Sequence, residues 1–411
     1  MTESNIFNQY LNKRKCLVKK KEILQTAHVP DHLPHREDKV DEIVSIIAPS
    51  LNKTKPSNIL IIGKTGTGKT VVMEYIGKEL KKADPDEENC SYVFINCEIV
   101  DSPYAILSTI ANSVISDPSR RVPFTGWSID KIISELTTYM EEKKKIFIVT
   151  LDEIDRSFQK NGDDIFYYLT SINDELVDSS VSIIGITNNT KFTEFLSPRI
   201  RSRLCEVKIV FPPYSVDQLK DILDERAKDA FDEGVLEEGV IPYCAAITAQ
   251  NGGDARRALN LLRMAADVAE RNGDEKITEA HIRYAKNEME KDAVNEVVKS
   301  LNSQLKLVLM SIIWNTEKGQ SVMITGDVYT TYKNICEITG NSVVTQRRVA
   351  DMISELDMLG LIHARVKSFG RAGRTKEIEL SVSKEIISLL QSDEIFKDLE
   401  NYRPPKQTTL M

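Results

Sequence analysis

The sequence is poor in the features that would assign it to a membrane, an oxidising compartment or a metal cage. Its six cysteines, Cys16, Cys90, Cys97, Cys205, Cys244 and Cys336, are scattered, with no C-x-x-C pair and no Cys/His cluster. That spacing argues against a zinc site and a disulfide framework, and for a reducing, cytoplasmic setting. No apolar run reaches membrane-spanning length, and Met1-Thr2-Glu3-Ser4-Asn5 does not open a signal peptide. Basic residues are in deficit: the net charge is −8, so any surface for nucleic acid must be local. Repeats and low-complexity tracts are missing as well. What remains, 41% hydrophobic and 28% charged residues over 411 positions, describes a globular chain too long for one core.

Short apolar runs alternate with helix-length segments in the first half: Ile59–Ile62, Tyr92–Ile95, Ile146–Leu151, Ile183–Thr187 and Val207–Phe211. Continuous apolar strands separated this way predict a parallel sheet covered by helices on both faces. After Phe211-Pro212-Pro213 the strands stop, and residues 215–295 read as helices with starts at Ser215, Asp254 and Thr278. A third region opens near Leu305. It carries helices and then a hairpin, Ile362–Phe369 and Thr375–Val382, joined by Gly370-Arg371-Ala372-Gly373-Arg374. The first residues carry six cations between Lys13 and Lys21, a solvated arm or a weak DNA-contacting one.

The chemistry begins at Gly63-Lys64-Thr65-Gly66-Thr67-Gly68-Lys69-Thr70, placed between the strand Ile59–Ile62 and a helix-compatible segment. This is a P-loop. Its backbone N–H groups, through Thr65, Gly66, Thr67 and Gly68, turn inward as an anion nest at a helix N-terminus. Lys69 then serves the β- and γ-phosphates of ATP or ADP as a point charge, and the Thr70 hydroxyl ligates Mg²⁺. The apolar run Ile146–Leu151 ends in Asp152-Glu153. Asp152 suits Mg²⁺ coordination at the end of a parallel strand, and Glu153 suits activation of a water; the plainer alternative is a helix N-cap. Asn188, after Ile183–Thr187, is either a turn residue or a holder of water or γ-phosphate.

Ser215-Val216-Asp217-Gln218 is a capping box, opening a helix with Leu219, Ile222, Leu223 and Arg226 on one stripe. Arg226 either meets a phosphate there or snorkels to solvent. Tyr214 either staples onto Leu219 or closes over a base. Asp254 caps a further helix whose first turn carries Arg256, on a solvated face or within reach of a γ-phosphate.

Taken in order, these motifs resemble the AAA+ superfamily and, within it, the archaeal origin-recognition initiators, relatives of the eukaryotic Orc and Cdc replication proteins. The resemblance covers the chain from about residue 25. It implies an α/β fold: an AAA+ P-loop parallel sheet over 25–214, a helical lid over 215–298 and an α+β winged helix over 299–411, after a basic arm over 1–24. It places the adenine pocket at Val29-Pro30 through Arg36, gives Tyr214 and Arg226 nucleotide contacts, and makes Asn188 and Arg256 sensors. It offers Arg203 as a finger for a neighbouring subunit, with Arg199 and Arg201 as rivals.

The resemblance also implies double-stranded origin DNA and the replicative helicase as partners, with other initiator subunits alongside. A recognition helix from Thr345 to Leu359 buries Val349, Met352, Ile353 and Leu356 and leaves Gln346, Arg347 and Arg348 for DNA. The hairpin tip adds Arg371, Arg374 and Lys376. A second contact resembles the family's insertion at Arg120, Arg121, Thr125 and Gly126, which otherwise reads as a surface loop over Trp127. Slow ATP hydrolysis as a switch, at an origin, is the expected activity; a paralogue regulating transcription or restraining initiation is the alternative.

Overall fold

In the computed structural model the described residues are 16–26, 28–115, 117–123, 125–368 and 374–399. They form two compact units that divide at Ala285 and Lys286. In the first, five parallel strands stand in the order β2-β3-β4-β1-β5. They are β1 (Ile59–Gly63), β2 (Cys90–Asn96), β3 (Ile146–Asp152), β4 (Ser180–Thr187) and β5 (Val207–Phe211). All five apolar runs became strands; β1, β3 and β4 are covered on both faces, while the edge strand β5 leaves Lys208 and Val210 exposed. Leu60 and Ile62 of β1 join one core with Val93, Ile95, Phe147 and Val149. Ile59 and Ile61 join the other, with Ile148, Ile186 and Phe211. Period-2 alternation therefore sends alternate residues into two separate cores.

Register fixes the chemistry. Ile62 pairs with Thr187 across β1 and β4, so Asn188 emerges level with Gly63 at the carboxyl ends of the strands. Ligand crevices of open α/β sheets lie at that edge.

The predicted starts at Ser215 and Asp254 carry side-chain caps. Ser215 Oγ accepts from Gln218 N and its own N–H donates to Gln218 Oε1, and Asp254 accepts from Arg257 N. A helix without a start signal, Val240–Gln250, lies between them; Gly239 at φ +99° precedes it with no side-chain cap. The described part of the basic arm is not free. Leu17, Val18, Ile23 and Leu24 are buried, Val18 bridges to Phe231, and Glu270 Oε1 accepts from the N–H groups of Leu17 and Val18. Lys21 pairs with Asp267 and Glu270, so a cation read as a solvated charge is neutralised on the lid.

The second unit packs helices Ser303–Glu317, Thr325–Thr339 and Gln346–Met358 around one core with Val349, Met352, Ile353 and Leu356 buried, as the periodicity predicts. Its sheet runs β6 (Met323–Ile324), β8 (Arg374–Leu380), β7 (Ile362–Ser368), antiparallel throughout. The two-residue β6 was too short to be read from sequence. No helix among the described residues is long and apolar enough to cross a membrane.

Candidate functional site

Gly66 and Gly68 hold φ +72° and +91°, a region L side chains rarely adopt. Space forbids substitution too: a Cβ on Gly66 would lie 1.7 Å from Asp254 Oδ1, and one on Gly68 2.6 Å from the Tyr214 hydroxyl. The loop they shape leads into the helix Lys69–Ala83, and the N–H groups of Thr65, Gly66, Thr67 and Gly68 donate to nothing among the described residues. Four unpartnered donors at a helix N-terminus fit an anion such as a phosphate chain.

Lys69 is buried and donates to the carbonyls of Gly63 and Lys64, both at 2.8 Å, and to Asn188 Oδ1 at 2.7 Å. None of these acceptors is charged, and burial pushes the ammonium down to about 8. Thr70 Oγ1 donates to Asp152 Oδ2 at 2.8 Å, while Glu153 N donates to Asp152 Oδ1 at 2.9 Å. Burial raises the Asp152 carboxyl from its ordinary value. One hydroxyl and one carboxylate fit Mg²⁺, which takes few protein ligands and shares phosphate oxygens.

Glu153 stands at φ +52° as the residue before the helix Ile154–Asn161, a left-handed position for a non-glycine residue. Such strain persists where surroundings enforce it and is concentrated at functional sites. Burial first, then Glu98 and Asp152, raises its carboxyl, and its cationic neighbour Arg156 stays 3.9 Å away. A half-buried, weakly paired carboxylate of this kind suits proton acceptance.

The lid reaches the P-loop directly. Ala255 N donates to Gly66 O at 3.1 Å, and Arg256 Nη2 donates to Thr70 Oγ1 at 3.3 Å. Asp254, read from sequence only as a helix cap, thereby overlies Gly66. Arg36 is spoken for by backbone: Nε donates to Thr67 O and Nη2 to Pro212 O, and its guanidinium lies 3.8 Å from the Tyr214 ring centroid. Arg226 contacts no P-loop atom; its nitrogens face Ile23 O and His28 O at 3.5 and 3.4 Å. It lines a cleft together with His28, Pro30, Leu33, Tyr214, Gly68 and Thr70. Pro30 faces that cleft whereas Val29 is not part of its lining.

Of the three finger arginines, Arg203 is paired within the chain, to Asp174 at 3.1 Å and Thr170 O at 3.3 Å. Arg199 lies over the Tyr167 ring at 5.2 Å. Arg201 is exposed, and its side chain makes no hydrogen bond or ion pair among the described residues.

On the insertion, Arg120 is held by Glu135 at 2.6 Å and Glu142 at 2.7 Å, while Arg121, Thr125 and Gly126 are exposed. Trp127 is half-buried under Lys131, 4.0 Å from its ring. In the second unit Thr345 caps its helix by accepting from Arg348 N, and Gln346, Arg347 and Arg348 are exposed in the first turn. Lys376 does not stand free. Its Nζ donates to Ala350 O at 3.1 Å and to Ser354 Oγ, both on that same helix. Arg371 lies outside the described residues, and of the Arg374 side chain nothing is described. Replacing Lys376 with Met is expected to lower the salt slope of DNA binding by less than one phosphate's share, since two of its three ammonium donors are held by protein acceptors. A slope lower by about 0.9 would mean that it neutralises a phosphate.

A P-loop at the end of β1, an acidic pair at the end of β3, an amide after β4 and a helical lid bearing an arginine define an AAA-type nucleotide-binding module, here followed by a winged helix. Family models agree: the ATPase family associated with various cellular activities (AAA) matches residues 59–213, the Cdc6 AAA+ ATPase-type lid domain 220–287, and the CDC6 C-terminal winged helix domain 296–389. The ORC1-type DNA replication protein of Thermococcus onnurineus is 47% identical over 92% of this chain and 91% of its own. The ORC1-type DNA replication protein 1 of Methanosarcina mazei is 46% identical over 90% and 89%. The chain belongs to the ORC1-type DNA replication protein family. Among solved structures, the Aeropyrum pernix ORC1 protein in complex with DNA is 41% identical, with a TM-score of 0.78 over 94% of this chain and 99% of that one. Cdc6p from Pyrobaculum aerophilum, at 23% identity and TM-score 0.58 over 91% and 99%, shares the fold.

Proposed function

We propose that this protein binds double-stranded origin DNA, initiates replication there and recruits or loads the replicative helicase, with ATP as a conformational switch. The observation that carries the switch is the lid's pair of hydrogen bonds to the P-loop, Ala255 N to Gly66 O and Arg256 to Thr70. A ligand shifts a conformational equilibrium only through differential contacts, and Arg256 and Thr70 are groups that a phosphate chain with its Mg²⁺ would engage. The lid helices lead through Glu279–Ser300 into the chain of the second unit, so lid position is the route from nucleotide to DNA.

When bound, Mg²⁺ and the triphosphate supply a scissile phosphoanhydride whose charge the protein must offset. Lys69 and the loop N–H groups would hold the phosphates, Thr70 and Asp152 would hold the metal, Asn188 would orient the water or the γ-phosphate, and Glu153 would take the proton from an attacking water. Glu153→Gln removes that basicity without removing a phosphate contact. It is expected to keep nucleotide affinity within about twofold while cutting turnover by 10²-fold or more; parent-like turnover in a phosphate-release assay would reassign the residue. Arg201, uncommitted on its surface, is the arginine best placed to act on a neighbouring subunit, with Arg203 released from Asp174 as the alternative.

DNA binding rests on the exposed first turn at Gln346, Arg347 and Arg348 and on the 41%-identical relative solved with DNA. The test is a chromosome-wide footprint with and without ATP. Protection confined to origins and strengthened by ATP is the expected result; scattered promoter sites would instead make the chain a transcription regulator.

A further inference from the structure

We propose that Tyr332 is a positioning residue for DNA reading, setting the height and angle at which the recognition helix presents its first turn. The inference rests on the DNA-binding function proposed above. Five residues, 341–345, join the helix Thr325–Thr339 to the helix Gln346–Met358 after a Gly340 turn at φ +66°. So short a connection has few ladder bonds of its own, and here its backbone is held from outside. Tyr332, fully buried, accepts from Val344 N at 3.2 Å and donates to Gln304 Oε1. Gln304 Nε2 then donates to Ser342 O at 3.1 Å. Tyr329, its ring stacked on Tyr332 with centroids 6.3 Å apart, donates to Val344 O at 3.3 Å.

The backbone N–H and C=O of Val344 are thus both gripped by tyrosine hydroxyls, one residue before the Thr345 cap and two before the exposed turn. The grip is made wholly inside the second unit and touches none of the side chains assigned to DNA. Base-edge hydrogen bonds depend on sub-ångström placement of that turn, whereas phosphate contacts tolerate displacement. Tyr332→Phe keeps the buried ring and the net charge but leaves Val344 N–H and Gln304 Oε1 without this partner. The loss should therefore fall on sequence discrimination and spare non-specific binding.

The experiment uses the full chain with ATP and two duplexes, one carrying the footprinted segment and one scrambled, titrated by fluorescence anisotropy over a salt series. Tyr332→Phe is expected to reduce the specific-to-scrambled affinity ratio about tenfold, with scrambled affinity and salt slope unchanged. Gln304→Ala, on a half-buried residue at the helix start, should move the ratio the same way. Thermal melts locate a temperature at which each variant is folded. An unchanged ratio in both variants, or equal weakening on both duplexes, overturns the positioning role. A parent protein that does not distinguish the duplexes overturns the origin-binding function itself, a separate failure.

Discussion

Lys69→Ala is expected to lower affinity for ATP on the order of 10²- to 10³-fold in calorimetry with the full chain. The argument is electrostatic. The ammonium is buried, its hydrogen-bond acceptors are two carbonyls and an amide oxygen, and no carboxylate neutralises it directly. A desolvated cation hydrogen-bonded only to neutral acceptors exchanges them for an anionic phosphate at a net gain. Charge-assisted hydrogen bonds contribute about 1.5–3 kcal/mol each, so two phosphate oxygens give about 3–6 kcal/mol, roughly 10²- to 10⁴-fold, and the three neutral acceptors given up bring the expectation to the lower part of that range. Melting curves should show the variant folded at the assay temperature alongside the lost affinity. An affinity within threefold of the parent would show that the loop N–H groups alone carry the phosphates.

Arg347→Ala with Arg348→Ala is expected to weaken DNA binding about 10²-fold near physiological salt. It should also lower the slope of log affinity against log salt by about 1.8. Both guanidiniums are exposed in the first turn of a helix whose opposite face, Val349, Met352, Ile353 and Leu356, is fixed in the core. The first turn cannot rotate away without exposing that stripe, so both cations stay on the face available to a major groove. If the slope does not move, DNA is held elsewhere, and the insertion at Arg121, Thr125 and Gly126 becomes the leading surface.

The two substitutions separate the two units. Lys69→Ala should leave ATP-independent DNA affinity intact, whereas the arginine pair should leave ATP affinity intact. Loss of both activities from either variant would indicate coupling stronger than a lid-mediated switch requires.

The sequence by itself determined the backbone plan. Continuous apolar runs specified the parallel strands other than the edge strand β5, because a strand buried on both faces has no polar side to show; Ser215 and Asp254 marked helix starts because their oxygens satisfy N–H groups that no helix can satisfy internally. Glycine spacing before Lys69 marked the P-loop for the same local reason. Legibility stopped where the local signal did: Gly239 offers no side-chain cap, and β6 is two residues long.

Only the tertiary structure decided what each charged group faces. Arg120 and Lys376 carry the same sequence signature as Arg347, yet the first is clamped by Glu135 and Glu142 and the second is tied to Ala350 and Ser354. Lys21 is held by Glu270, Arg203 by Asp174, and Asp254 lies against Gly66. Patterning along a chain records which residues prefer burial, since that preference is paid residue by residue. The partner of a cation is a pairwise property of groups brought together by folding, and no spacing in the sequence encodes it.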